Sequence, residues 1–583
     1  MSEQTANPAA ITPTAATMKK TLQNKSSKQT EMIQLPGGIK TEARKATLTV
    51  IILLSFMVFA FALQNNFLSG WDDGEYLSDP SVSGAGPVNT KEIFSNFHLG
   101  MYQPIAVLSF AINYKISGPE PWVFILTNIF LHLLNIVLVF KLMEKWMNSW
   151  KAASVVALLF AIHPMHVEPV VWISSRSTGL YSLFFLLGLL WWEKYQSKGK
   201  KTDYLLAFAF ALLAMLSKSM AATFPLVLLV SDYLKHRKFT WKLIAEKLPF
   251  LALSVIFGLD AIKASASFGH ITVLEQDYSI FQRLFLIVYS VAFYIIKLVV
   301  PVNLSAIYAY PELKNGALPL YVYTSAIVPL ALLAFLLLTK RNKREMLAGA
   351  FFFLVSIGMV LPLFWSRIFI TADRYTYLPY LGLFMLISRP LTNLWEERNT
   401  LDRGTLKLLI AATALIIITL SAGSINRIKV WKDTPTLLTD VIDNKRSDAD
   451  MAHGYFYLGN YFDGENNAEQ AMKYYDLALS RNDKYLLALN NRGILKGKTG
   501  NLMSAISDFE NAIKIQPAYA EAYYNRGVAL YQTGKKEEAC ADWKKALSLK
   551  FVPASQALNL YCRQANTSEK SVPEGSAKPD TLK

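Results

Sequence analysis

Two adjacent acids, Asp72 and Asp73, stand in the stretch Trp71-Asp72-Asp73-Gly74-Glu75-Tyr76, just past the end of an apolar run from Ala46 to Leu63. A carboxylate held beside apolar surface resists ionisation and can take a proton from a hydroxyl, while its neighbour positions a substrate or shares a cation. A solvated acidic loop would carry the same pair, and adjacency alone leaves both readings open. A second group is His163, His166, Glu168 and Arg176, in the run His163-Pro164-Met165-His166-Val167-Glu168 and on through Trp172-Ile173-Ser174-Ser175-Arg176. Ionisable residues at membrane depth cost a few kcal/mol unless they have a partner or water, which makes them functional candidates. No further strong ligand accompanies the two histidines and Glu168, so a hydrogen-bonded lining for a sugar or phosphate fits better than a metal site. Arg176 could equally be an interfacial anchor. Lys218 and Arg374, the latter within Asp373-Arg374-Tyr375, are cations on the side where the charge pattern below expects few. An anionic lipid phosphate would suit them, because a guanidinium grips phosphate oxygens as a fork and an ammonium acts as a compact charge. A structural pair of Arg374 with an acid is the alternative. His132 and Asn135, one turn apart in an apolar segment, read as interhelical hydrogen-bonding groups.

The elements that must position these residues are apolar helices. A chain of 583 residues with 52% apolar content exceeds what one soluble core can hide. Its formal charge of +16 lies outside the C-terminal part, since from Ser447 onward there are 17 basic and 16 acidic residues. Positive-inside topology explains the excess, and no single basic face calls for nucleic acid. Residues 1–44 hold too little apolar surface to fold and are expected to be a disordered cytoplasmic tail, kept inside by Lys40, Arg44 and Lys45. A membrane domain over 45–425 follows, with eleven expected spans: Ala46 to Leu63, Trp122 to Leu142, Lys151 to His163, Leu180 to Lys194, Tyr204 to Leu216, Ala221 to Leu234, Leu248 to Ile262, Leu318 to Leu338, Met346 to Phe364, Tyr377 to Leu394 and Leu406 to Ala422. Tyr102 to Ile116 is expected at the interface. Phe281 to Val300 is read as re-entrant or interfacial, because a full span there would place Lys340-Arg341-Asn342-Lys343-Arg344 outside. An odd number of spans leaves the C-terminus outside.

A linker helix is expected over 426–450. Beyond it Gly459, Gly493 and Gly527 recur every 34 residues, as do Ala471, Ala505 and Ala539, which is the tetratricopeptide (TPR) period. Tyr475, Phe509 and Trp543 share one repeat position and Ala478, Ala512 and Ala546 another, the large and small residues that let paired helices interlock. Three repeats and a capping helix are therefore expected over 451–566, and a disordered tail over 567–583. The two cysteines, Cys540 and Cys562, rule out a disulfide scaffold; they could bridge the last repeat to its cap in an oxidising compartment or remain separate buried thiols.

Together Trp71-Asp72-Asp73, Tyr102-Gln103-Pro104, Thr127 to Asn135, His163 to Arg176, Leu216-Ser217-Lys218, Ala372 to Pro379 and the trailing repeats resemble the transmembrane and TPR repeat-containing family and its bacterial relatives, within the GT-C class of polytopic glycosyltransferases. The resemblance implies an all-α, GT-C-like membrane bundle followed by a TPR solenoid. It implies an inverting transfer of a hexose such as mannose from a polyprenyl-phosphate donor to a Ser or Thr hydroxyl of a protein. Asp72 or Asp73 would be the base, Arg374 and Lys218 would hold the donor phosphate, and His163, His166, Glu168 and Arg176 would line the pocket. The setting implied is a bacterial inner membrane with the TPR part periplasmic, where its groove takes a protein acceptor or partner; a metal requirement is undetermined. The chain departs from the pattern at Gln103, where relatives often have Arg, and in having only three repeats. A membrane scaffold without enzymatic activity, assembling an envelope complex through the repeats, is the competing reading.

Overall fold

The computed structural model describes residues 32–34, 40–84, 86–267, 278–362, 369–444 and 446–562. Most of the two tails, and the end of the expected span at Phe364, lie outside these residues. The architecture is a helical membrane bundle capped by a TPR solenoid. Within the N-terminal stretch expected to be disordered, Met32–Gln34 pairs antiparallel with Lys40–Glu42, Ile33 opposite Thr41 in register.

Each of the eleven expected spans is helical over most of its length. Among the described residues, six helices are long and apolar enough to cross a membrane, namely Ala43–Gln64, Pro121–Met147, Ile173–Lys198, Ile280–Val299, Leu320–Leu338 and Arg403–Val430. The pair Trp150–Ile162 and Pro164–Val171, bent by 61°, brings the number to seven if it is one span, fewer than the expected eleven. The bend falls at Pro164, which has no N–H to continue the helix, and His163 Nδ1 accepts from the Met165 N–H at 3.2 Å to cap the restart. Ile280–Val299, expected to be re-entrant or interfacial, qualifies as a span by length and composition. Its flanks nevertheless return to one end: Leu304 accepts from Asn444 at 3.4 Å, and Tyr278 donates to Pro311 at 3.0 Å, three residues from Tyr308.

The bundle has two chemically distinct ends. At one, the segments rich in Lys and Arg gather, with Lys194 on Asp203, Lys235 on Glu193, Arg237 on Asp232 and Glu246, and Arg389 on Glu345 and the Met147 carbonyl. At the other, the loop after the first span meets the end of the last: Asn65 Nδ2 donates to the Ile428 and Trp431 carbonyls at 3.2 and 3.0 Å, and the Asn66 N–H to Lys432 at 2.8 Å. Between the ends, Lys343–Gly358 crosses Tyr380–Glu396 at Gly349 and Gly382. A Cβ on Gly382 would lie 2.2 Å from the Gly349 carbonyl oxygen and 2.8 Å from the Phe353 nitrogen, both backbone. Gly382→Val is therefore expected to cost at least ~1–3 kcal/mol by forcing the helices apart. A lower thermal midpoint and reduced monodisperse yield in detergent would register it.

The solenoid has three helix pairs, Asp448–Gly464 with Ala468–Arg481, Leu486–Lys498 with Leu502–Ile515, and Ala520–Gln532 with Lys536–Ser548, then a cap at Pro553–Tyr561. The interlock expected from the repeat pattern is present, each glycine Gly459, Gly493 and Gly527 lying under the ring of Tyr475, Phe509 or Trp543. Between the membrane part and the repeats, the last span runs on to Val430, and a separate helix, Thr434–Asp443, buries Leu437, Leu438 and Val441. Cys540 and Cys562 form a disulfide joining the last repeat to its cap, with Cα atoms 5.9 Å apart and 22 residues between them in sequence. The closed loop lowers the entropy of the unfolded chain, so Cys540→Ser is expected to destabilise the last repeat by ~2–4 kcal/mol. Earlier proteolysis within Lys536 to Tyr561, in the variant or after reduction, is the check.

Candidate active site

The turn after the first span is tied down by Asp73. Its carboxylate accepts from the Leu68 N–H at 3.0 Å, from the Ser174 N–H at 2.9 Å and from the Ser174 hydroxyl. Asp73 is fully buried and both its oxygens are engaged, so it clamps the acid loop to the segment Trp172 to Arg176. Asp72, at the start of the short helix Asp72–Ser78, is half-buried and faces the charge of Arg374. Burial raises its carboxyl to about 7 despite the pull of Arg374, and the like charges of Asp73 and Glu75 add to the rise. A carboxyl poised near neutrality is suited to accept a proton.

Arg374 is held from the other side. Glu168, buried in the short helix after the Pro164 bend, accepts from the Arg374 N–H at 2.9 Å and forms an ion pair with its guanidinium. The same guanidinium lies 5.1 Å from the Trp172 ring centre and 5.0 Å from that of Tyr375, within cation–π range. Burial alone would lower its pKa, but Glu168 more than offsets this and keeps the group charged. Asp373 next to it accepts from the Tyr308 hydroxyl at 2.7 Å.

Aromatic rings wall this cluster. Trp172 packs against Trp71 at 5.7 Å and Trp431 at 5.8 Å, and Trp71 stacks on Tyr457 of the first TPR helix at 5.1 Å, with planes 2° apart. Near them, the indole N–H of Trp431 and two guanidinium nitrogens of Arg427 are buried without a hydrogen-bond partner among the described residues, so this wall is polar as well as aromatic.

Of the expected site residues, the fold therefore brings Asp72, Asp73, Glu168 and Arg374 together. Lys218 is reached through the turn beside them: its ammonium donates to Thr178 at 2.7 Å, Thr178 lies 3.2 Å from Ser175, and Ser175 follows the Asp73-bound Ser174. His163 and His166 are placed elsewhere. Expected in the pocket lining, they are fully buried against Tyr377, Tyr380 and Phe384 and hydrogen-bonded to main-chain carbonyls, His163 to Leu298 at 3.0 Å and His166 to Phe160 at 2.9 Å. Their apolar ring faces outweigh their polar atoms in a packed core. Arg176 is also internal: it donates to Asn128 at 2.8 Å, Ser109 at 3.1 Å and Phe124 at 2.8 Å, between the rings of Phe110 and Phe124. It joins three helices and presents no guanidinium edge to a ligand. His132 and Asn135 act as interhelical groups, both meeting the Tyr377 hydroxyl. Among the described residues, no three of His, Cys, Asp and Glu stand close enough to hold a metal ion.

Trp71 and Trp172 lay in the motifs the sequence singled out, but their role as a wall did not show. Tyr457 left one trace, since it occupies the repeat position that Asn491 and Asn525 hold in the next two repeats.

Fold and site define the class: an integral membrane protein with a polytopic helical bundle, whose ionised cluster lies against a TPR solenoid. Residues 103–261 match the family model described as dolichyl-phosphate-mannose-protein mannosyltransferase. Residues 498–534 match a TPR repeat model and 520–550 a tetratricopeptide repeat model. The chain is similar to the human protein O-mannosyl-transferase TMTC1, at 24% identity over 79% of this chain and 59% of that protein. It is likewise similar to the protein O-mannosyl-transferase F38B6.6 of Caenorhabditis elegans, at 25% identity over 63% and 54%. The resemblance to the transmembrane and TPR repeat-containing proteins therefore runs through both parts of the chain, which spans just over half the length of these two relatives. Two solved structures are similar at 14% identity. The Archaeoglobus fulgidus oligosaccharyltransferase gives a TM-score of 0.35 over 71% of this chain and 59% of that one. ArnT of Cupriavidus metallidurans, bound to undecaprenyl phosphate, gives 0.38 over 83% and 81%.

Proposed function

We propose that the protein is an inverting membrane glycosyltransferase of the GT-C type. It moves a hexose, mannose by analogy with its O-mannosyl-transferase relatives, from a polyprenyl-phosphate donor to a Ser or Thr hydroxyl of a protein. The observation that carries this reading is the convergence of Asp72, Glu168 and Arg374 at the bundle end that the solenoid covers. Asp72 takes the proton of the acceptor hydroxyl as its oxygen attacks the anomeric carbon. The bond from that carbon to the phosphate oxygen breaks, and the polyprenyl phosphate leaves with the electron pair. Arg374 stabilises the growing phosphate charge, with Lys218 as a second cation, as fixed charges in a water-poor site do best. Asp73 and Glu168 hold the base and the guanidinium in place. A bulky lipid-linked donor reaches this rim from the bilayer, and the acceptor reaches it from the solenoid side.

The site end carries few of the basic clusters, which gather at the opposite end; this supports a non-cytoplasmic, periplasmic position for the solenoid. The disulfide supports it too, because such bonds persist in oxidising compartments. Mass spectrometry of envelope proteins from cells with and without the chain tests the function. Loss of a hexose from Ser or Thr residues in cells lacking it is expected; identical glycoforms would leave the membrane-scaffold reading in its place.

A further inference from the structure

The first TPR helix, Asp448–Gly464, does more than follow the membrane part; it is built into the acid loop. Gly70 lies beneath it at φ +74°, where a Cβ would come within 3.1 Å of the Tyr461 Cα, so the glycine lets helix and loop approach backbone to backbone. Thr434 donates to the Ser69 carbonyl at 2.8 Å, and Asp450 accepts from the Ala309 N–H at 2.7 Å, fixing the solenoid over the same end of the bundle. At this junction Tyr457 stacks flat on Trp71, the residue before Asp72, and its phenol feels the charges of Asp72 and Glu75. Among the described residues, no group hydrogen-bonds the Tyr457 hydroxyl.

We infer that Tyr457 is an acceptor-positioning residue, the Trp71–Tyr457 stack forming one wall of a subsite where an acceptor polypeptide presents its hydroxyl to Asp72. The inference rests on the reading of Asp72 as the base. A polypeptide backbone offers the donors and acceptors that a phenol hydroxyl can meet, and aromatic faces grip the chain without ordering many torsions. The donor, arriving through the bilayer, has no need to touch Tyr457. The solenoid would then supply part of the active site itself, and the repeat position that is Asn in the other two repeats would be Tyr here because it faces the acid loop.

The test uses the full-length protein in lipid nanodiscs, with dolichyl-phosphate mannose as donor and a synthetic Ser/Thr-containing peptide as acceptor. Tyr457→Phe keeps the stack and loses the hydroxyl; a ~5–10-fold rise in acceptor KM is expected, the size of one lost hydrogen bond. Tyr457→Ala loses the wall as well and should raise acceptor KM further. In both variants donor KM should stay within about twofold of wild type, which a collapsed domain junction would not allow. Unchanged acceptor KM in both variants, alongside an inactive Asp72→Asn, would overturn the inference and leave the base assignment standing. Donor and acceptor KM rising together with a lowered melting temperature would also overturn it, by showing a structural role. Activity retained in Asp72→Asn would instead remove the base assignment, and this inference with it.

Discussion

Asp72→Asn is expected to lower transfer by ~10²–10⁴-fold in kcat with little change in expression or melting temperature, the range a general base supplies. Asn is nearly isosteric and its amide cannot take the acceptor proton. Asp72 is half-buried and, among the described residues, makes no side-chain hydrogen bond of the kind Asp73 makes, so removing its charge should relieve crowding among Asp72, Asp73 and Glu75. Asp73→Asn should behave in the opposite manner. It replaces an acceptor of three hydrogen bonds with a group whose amide nitrogen cannot accept, so the protein should lose stability before catalysis can be judged. Radiolabelled transfer assays beside thermal melts separate the two, and full activity in Asp72→Asn would end its assignment as base. The pH dependence follows from the same carboxyl. Burial places it at about 7 and the base must be ionised to work, so kcat/KM should climb as pH rises through about 7 and level off above it. Glu75, close enough to add to the rise, should when changed to Gln move that limb to lower pH.

Glu168→Gln is expected to have the largest effect on stability. Glu168 is 1% exposed and Arg374 18%, so breaking their pair leaves a guanidinium without its counter-charge in a poorly solvated place, a loss of ~3–5 kcal/mol. The carboxylate also accepts from the Arg374 N–H, so its removal loosens the turn at Asp373–Thr376 as well. Replacing both partners, Glu168→Leu with Arg374→Met, should recover much of the stability, because a matched apolar pair avoids the desolvation cost. It should recover none of the transfer, since the cation proposed to face the leaving phosphate is gone. A double variant that regained activity would show that Arg374 serves the fold alone. Arg374→Lys tests the fork geometry: it keeps the charge but not the paired contacts, and should raise donor KM more than acceptor KM.

The residues the sequence singles out divide in the structure between a cluster around Arg374 and the packed core, and burial decides which side each falls on. Glu168 and Arg374 stand out singly in the sequence, but the 206 residues between them hide that they are partners. Asp72 and Asp73 looked equivalent; the difference comes from Ser174, which lies 101 residues from Asp73 and engages it alone. His163, His166 and Arg176 carry the residue types of a ligand pocket, yet His163 and Arg176 spend their polar atoms on groups inside the core, and His166 is buried there with Nδ1 on the Phe160 carbonyl. Polarity in the sequence cannot show which way a side chain turns. Tyr457 escaped notice because within its own repeat it is one aromatic among many.

The sequence by itself determined the membrane bundle, the three repeats and the segregation of basic segments. These follow from hydrophobic length, a 34-residue period and the sign of charge, each a property of residues near one another in the chain. Tertiary structure alone decided which acid is tied into the backbone, which cation lies near the other and which aromatic of the solenoid packs beside them. Those outcomes depend on desolvation and on hydrogen bonds between segments far apart in sequence, and both exist only once the helices have packed.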